Sequence, residues 1–136
     1  MTILISDSSL KIIDRLESLI IEGGGVHKIF KATGYYESLK LFNDTSPAVV
    51  LLDMNFPGNQ SFELLRQMKT TGSESKIIAL SIHISDDNIE HSKQLGADYF
   101  LDKYNEFEKI PDIIKNIANN DINNETRKNQ KKCTNN

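Results

Sequence analysis

Four residues could do chemistry together, and each closes or follows a short apolar run: Asp7 after Ile3 to Ser6, Asp53 after Val49 to Leu52, Ser81 ending Lys76 to Ser81, and Lys103 just after Tyr99 to Leu101. Two carboxylates, a hydroxyl and an ammonium gathered at strand ends suit phosphoryl chemistry. Facing carboxylates repel unless a cation neutralises them. One or two carboxylates with waters and a phosphoryl group make a hard-oxygen site suited to Mg2+. In such a site Asp53, ending a stiff buried strand, is the candidate nucleophile that becomes an aspartyl phosphate, while Ser81 and Lys103 hold the phosphoryl oxygens. Taken singly, each residue has a blander reading. Strand-end Asp and Ser residues often cap loops or helices, and a single Lys is usually solvated. The case rests on their convergence, so the elements that carry them decide it.

Five short apolar or β-rich runs alternate with helix-period segments, which predicts repeated βα units and a doubly wound α/β fold: five parallel strands with helices on both faces. The strands are read at Ile3 to Ser6, Val26 to Ala32, Val49 to Leu52, Lys76 to Ser81 and Tyr99 to Leu101. The run Val49 to Leu52 is continuously apolar, as a strand buried on both faces requires. Ile12, Leu16, Leu19 and Ile20 mark the core face of a first helix that ends at Gly23-Gly24-Gly25. Tyr36, Leu39, Leu41 and Phe42 mark a second, and Ser61 to Thr70 reads as a third. A fourth helix is capped near Ser85 and ends near Gly96, and a fifth carries Phe107, Ile110, Ile113, Ile114 and Ile117, with Pro111 tolerable in its first turn. For flavodoxin-like strand order 2-1-3-4-5, ligands bind beyond the carboxyl ends of strands 1 and 3, where the order reverses. That edge would receive Asp7, Asp53, Ser81 and Lys103.

The 136 residues suffice for one domain, and a net charge of −3 provides no basic field for phosphate backbones, so direct nucleic-acid binding is not expected. No apolar run approaches the length of a membrane span, no basic segment precedes the short apolar N-terminus, and the single Cys133 excludes an internal disulfide. A cytoplasmic protein is expected. From Asn119 to Asn136 seven of eighteen residues are Asn and only Ile122 is a large apolar, so residues 119–136 read as a disordered Asn/Lys-rich tail after a folded body over 1–118.

The run Leu51-Leu52-Asp53-Met54-Asn55-Phe56-Pro57-Gly58, followed by Phe62-Glu63-Leu64-Leu65, resembles the phospho-acceptor strand, loop and third helix of bacterial two-component response-regulator receiver domains. Ile77-Ile78-Ala79-Leu80-Ser81 resembles the strand ending in that family's Ser/Thr. Gly96-Ala97-Asp98-Tyr99-Phe100-Leu101-Asp102-Lys103 resembles the segment ending in its Lys. The resemblance spans residues 2 to 118. It implies transfer of a phosphoryl group to Asp53 from a phosphohistidine on a histidine kinase or phosphotransfer protein, with Mg2+ held by Asp7, Asp53 and the backbone carbonyl of Asn55. Ser81 and Phe100 would form the switch pair, and Asn55 and His83 would tune dephosphorylation. The product would be a signalling phospho-acceptor, not an enzyme, acting on a downstream protein target, with a phosphorylation-dependent homodimer also open.

The chain departs from the family at strand 1, where receivers usually show two adjacent acidic residues and this one reads Ser6-Asp7-Ser8-Ser9. If Asp7 fills the first slot, Ser8 replaces the usual direct Mg2+ ligand; if it fills the second, Ser6 replaces the outer carboxylate. Either way a unit of negative charge is lost and weaker Mg2+ binding is expected. Ser61 stands where many receivers have Gly, and Tyr104 where Pro is common. Two readings follow: a single-domain response regulator phosphorylated on Asp53, or a degenerate receiver serving as a phosphorylation-independent protein-binding module. Ile13 and Ile21 flank the helix 1 stripe in a region that contacts the histidine-bearing helix in receivers, although burial in the core is the simpler reading for both.

Overall fold

The computed structural model describes residues 1–70, 73–82 and 84–120. Its elements alternate as the apolar periodicity requires: β1 (Thr2–Ser6), α1 (Leu10–Glu22), β2 (Lys28–Ala32), α2 (Tyr35–Thr45), β3 (Val49–Asp53), α3 (Gln60–Thr70), β4 (Lys76–Ser81), α4 (Asp86–Gln94) and β5 (Tyr99–Asp102). A 3-10 turn at Phe107–Lys109 leads into α5, residues 110–120. Pro111 falls in the first turn of α5, where its missing N–H has no partner to lose. The five strands form one parallel sheet in the order β2-β1-β3-β4-β5.

Side-chain alternation sends each strand's apolar residues to both faces. Ile3, Ile5, Val49, Leu51, Ile78 and Leu80 pack with Ile13, Leu16 and Ile20 of α1 and with Ile110, Ile114 and Ile117 of α5. Leu4, Val50, Leu52, Ile77 and Ala79 pack with Phe42 of α2 and Leu64, Leu65 and Met68 of α3. Every residue of β3 is buried, so both layers of core hold the strand that ends at Asp53. Truncating one of these leucines to alanine typically costs about 2–5 kcal/mol, so the strand is an unyielding mount for its last side chain.

Several ends move by one residue, with β1 starting at Thr2, α3 at Gln60, and β3 and β5 ending at Asp53 and Asp102, and Phe107 falls in the 3-10 turn rather than on the last helix; two boundaries move further. β2 begins at Lys28, not Val26, because Gly24 and Gly25 take positive φ (86° and 87°) and carry the chain around a turn that leaves Val26 92% exposed. The helix at the other end runs through residues 119 and 120, two residues beyond the boundary read from composition; residues 121–136 of the expected tail lie outside the described residues. Among the described residues no helix is long and apolar enough to cross a membrane.

Candidate functional site

The parallel sheet delivers its carboxyl ends to one edge, and the four chemical residues arrive there together. Asp53 is the last residue of β3, Ser81 the last of β4, Asp7 follows β1 and Lys103 follows β5. Register aligns them: Ser6 lies beside Leu52, Asp53 beside Leu80, and Ser81 beside Asp102. All four are buried. The Lys103 ammonium lies 2.8 Å from Asp53 Oδ1, to which it donates, and 2.7 Å from Asp7 Oδ2, an ion pair without an aligned hydrogen bond. The Lys103 N–H also donates to the Ser81 carbonyl (2.9 Å), which fixes the stem of the lysine against β4.

Two carboxylates share one ammonium, so the cluster is one positive charge short. Burial raises the Asp7 pKa; the ammonium of Lys103 and the N–H of Ser9 pull it back in part, and the charge of Asp53 pushes it up further. For Lys103 burial alone would lower the pKa, but the two carboxylates outweigh it and hold the ammonium charged above its ordinary value. Asp7 Oδ1 accepts from Ser9 N (2.8 Å) and Asp53 Oδ1 from Asn55 N (2.8 Å). Asp53 Oδ2 is buried and has no hydrogen-bond partner among the described residues. An unpaired buried carboxylate oxygen costs free energy until something positive or acidic meets it.

The loops around the cluster are held by side chains. Asn55 Oδ1 accepts from Ile82 N (2.9 Å), so this carboxamide ties the β3–α3 loop to the β4–α4 loop. The Ser61 hydroxyl, 1% exposed in the first turn of α3, donates to the Asp53 carbonyl (2.7 Å) and accepts from Phe56 N (3.0 Å). After Lys103 the chain turns on Asp102, whose Oδ1 accepts from Tyr104 N (2.8 Å) and Asn105 N (3.2 Å). The Tyr104 N–H, the first of these donors, helps hold the Asp102 carboxyl below the usual carboxylate range. A proline at 104 would lack that donor, so this loop is built on an Asx turn.

The resemblance implies a metal site among these atoms. The Asp53 and Asp7 carboxylates and the Asn55 carbonyl are hard oxygen donors of the kind Mg2+ takes alongside water. Among the described residues no group of three or more His, Cys, Asp or Glu side chains could hold a metal, so an ion bound here would take the rest of its shell from backbone and water oxygens. The residues fit a Mg2+ site with one carboxylate fewer than usual.

Other expected residues are distributed unevenly. Phe100 lies in β5 beside Ala79, half-buried against the α2/α3 core layer. His83 lies outside the described residues. Ser6 turns away from the cluster: its hydroxyl is 2.6 Å from that of Ser38 in α2, which donates to the Gly34 carbonyl. Ser8 is exposed. Ile13 belongs to the core, whereas Ile21 is 65% exposed. Ser61 is the contributor that sequence reasoning did not assign a role; its only signal was a side chain where glycine is common.

The family model described as the response regulator receiver domain matches residues 3–115. Sporulation initiation phosphotransferase F of Bacillus subtilis is 30% identical over 89 residues, 65% of this chain and 72% of that protein. The nitrate/nitrite response regulator protein homolog of Haemophilus influenzae is 28% identical over 86 residues, 63% of this chain and 41% of that protein, so this chain spans under half of its length. Among solved structures, the receiver domain of a DNA-binding response regulator from Colwellia psychrerythraea superposes with a TM-score of 0.81 at 24% identity, covering 88% of this chain and 98% of that one. A CheY-like receiver domain protein from Methanospirillum hungatei gives 0.78 at 22% identity, covering 90% and 97%. At these identities the structural likeness shows a shared fold.

Proposed function

This chain belongs to the family of response regulator receiver domains, signalling phospho-acceptors that generally bind Mg2+ at the phosphorylation site, and from that premise we propose that Asp53 is its phospho-acceptor. The observation that carries the reading is Asp53 itself: a fully buried strand end whose Oδ1 is held by Lys103 and Asn55 N and whose Oδ2 has no partner among the described residues. Oδ2 is the oxygen left to form the new bond to phosphorus. As that P–O bond forms, the P–N bond to the imidazole of a donor phosphohistidine breaks, and the imidazole nitrogen leaves with the electron pair and takes a proton. Bound Mg2+ would neutralise charge on the transferring phosphoryl oxygens. Lys103, 2.8 Å from Oδ1, is placed to follow the new negative charge, and Ser81, one strand over, to donate its hydroxyl. Movement of Ser81 toward the phosphoryl group and of half-buried Phe100 inward would pass the event to the face built by α4, β5 and α5.

Strand alternation bears on which acidic slot Asp7 fills. Adjacent strand residues face opposite sides of a sheet, and the Ser6 hydroxyl is bound to α2. A carboxylate at position 6 would face α2, so the missing partner of Asp7 falls on exposed Ser8, the slot of a direct metal ligand. Mg2+ binding is accordingly expected to be weak. That deficit is the specific observation favouring the second reading, a receiver that binds its protein partner without phosphate.

The donor would be a histidine kinase or phosphotransfer protein, the output a protein target, and the setting the cytoplasm. Intact mass after incubation with acetyl phosphate or phosphoramidate, with and without Mg2+, tests the assignment. A Mg2+-dependent phosphoryl adduct on the wild type, absent from D53N, is expected. No adduct at high Mg2+ would overturn it in favour of the phosphate-independent module.

A further inference from the structure

We infer that Ser61 is a positioning residue for the metal-ligating carbonyl of this site, an inference that rests on the phospho-acceptor reading above. In the loop between Asp53 and α3 three successive amides each have a different acceptor. Met54 N donates to the Leu80 carbonyl (2.8 Å), Asn55 N to Asp53 Oδ1 (2.8 Å) and Phe56 N to Ser61 Oγ (3.0 Å). The third bond matters most. The Phe56 N–H and the Asn55 carbonyl belong to one peptide unit, which is planar and trans, so the two point in opposite directions. Whatever grips the Phe56 N–H therefore aims the Asn55 carbonyl.

Ser61 Oγ grips it from a fixed base. The hydroxyl is 1% exposed, is carried by the first turn of α3, and donates its own proton to the Asp53 carbonyl at 2.7 Å. Donating and accepting at once, it links the carbonyl of the acceptor residue to the amide three residues on and clamps the stretch that holds both the Asp53 carboxylate and the Asn55 carbonyl. A glycine or alanine at position 61 would leave both buried groups without this partner. The clamp also addresses the weakness of the site: with Ser8 in place of a carboxylate, affinity depends more heavily on how well the remaining oxygens are preorganised.

Calorimetric or NMR titration with Mg2+ of wild type, S61A, S61G and S61T, each checked for a cooperative melt, tests this. S61A and S61G should raise the Mg2+ dissociation constant about tenfold, the lower end of what losing an outer-shell partner does to metal affinity. S61T, which keeps the hydroxyl, should stay near wild type. Exchange protection of the Phe56 amide should fall in S61A and persist in S61T, a readout independent of phosphorylation. The rate of phosphorylation at saturating Mg2+ should be largely recovered in S61A. Wild-type affinity in both S61A and S61G would overturn the role of Ser61 alone. A wild-type chain that binds no Mg2+ at all would overturn the metal site and this inference with it.

Discussion

Two ion clusters sit at opposite edges of the same sheet with mirrored stoichiometry. At the amino edge one carboxylate serves two ammonium groups: Asp98 Oδ2 accepts from Lys69 Nζ (2.7 Å) and Ile77 N (2.8 Å), and Oδ1 lies 3.8 Å from Lys76 Nζ. Lys69 also donates to the Ser75 carbonyl (2.8 Å), so the cluster staples α3, β4 and the start of β5. At the carboxyl edge one ammonium serves two carboxylates, and Asp53 Oδ2 is left without a partner among the described residues. The difference is solvation as much as count. The Asp98 side chain keeps 23% of its surface in water, whereas Asp7 and Asp53 keep 1% each. The Asp98 cluster completes its bonds and stays near solvent; the cluster of Asp7, Asp53 and Lys103 stays buried, negative and incomplete.

The sharpest way to break this contrast is to remove the cation that both buried carboxylates share. K103M should destabilise the fold by about 3 kcal/mol at pH 7, because two facing carboxylates then lack compensation in a water-poor site. Part of the loss should return in acid as Asp7 takes up a proton. Urea denaturation across pH checks this, and unchanged stability at pH 7 would mean that water already reaches the cluster. At the other edge D98A should cost about 2 kcal/mol, since it strands the Ile77 N–H and two lysines. It should leave the phosphoryl adduct intact. An adduct lost in D98A would mean the two edges are coupled through β4.

The amino-edge staple could not be read from the sequence, since nothing in the spacing of Lys69, Lys76 and Asp98 announces that α3 and β5 will meet there. The carboxyl edge could. Its members end strands, and parallel order 2-1-3-4-5 sends strand ends to one place, so Asp7, Asp53, Ser81 and Lys103 converge for reasons of period and polarity alone. Backbone conformation set the limits of that reading. The strand read from Val26 starts two residues later because Gly24 and Gly25 carry Val26 into the turn, and the stripe of α1 centres on Ile13, Leu16 and Ile20 with Ile12 and Leu19 at its margins; of the two isoleucines for which burial is the simpler reading, Ile13 is buried and Ile21 is exposed. Phe107 was placed on the last helix but lies in the 3-10 turn before it. The clamp by Ser61 depends on a hydroxyl meeting a particular amide, which is a matter of ångströms that residue types do not encode.

The smallest expected effect separates the clusters most cleanly, because its sign is opposite to intuition. Burial raises the pKa of Asp7 above its ordinary 3.8, so the fold favours the protonated carboxyl. The stability this contributes is fully present below pH 3.8 and is lost as pH rises through the raised value. At neutral pH charged Asp7 is therefore a cost. D7N, neutral throughout, should match wild type in acid and be the more stable of the two at pH 7, because it removes the charged form that burial disfavours. The substitution leaves Lys103 and Asp53 as a balanced pair. The same variant should bind Mg2+ more weakly, so stability and metal affinity move in opposite directions. Should D7N instead destabilise the protein at pH 7, attraction to Lys103 would outweigh burial, and the carboxyl edge would be a structural staple like its counterpart around Asp98.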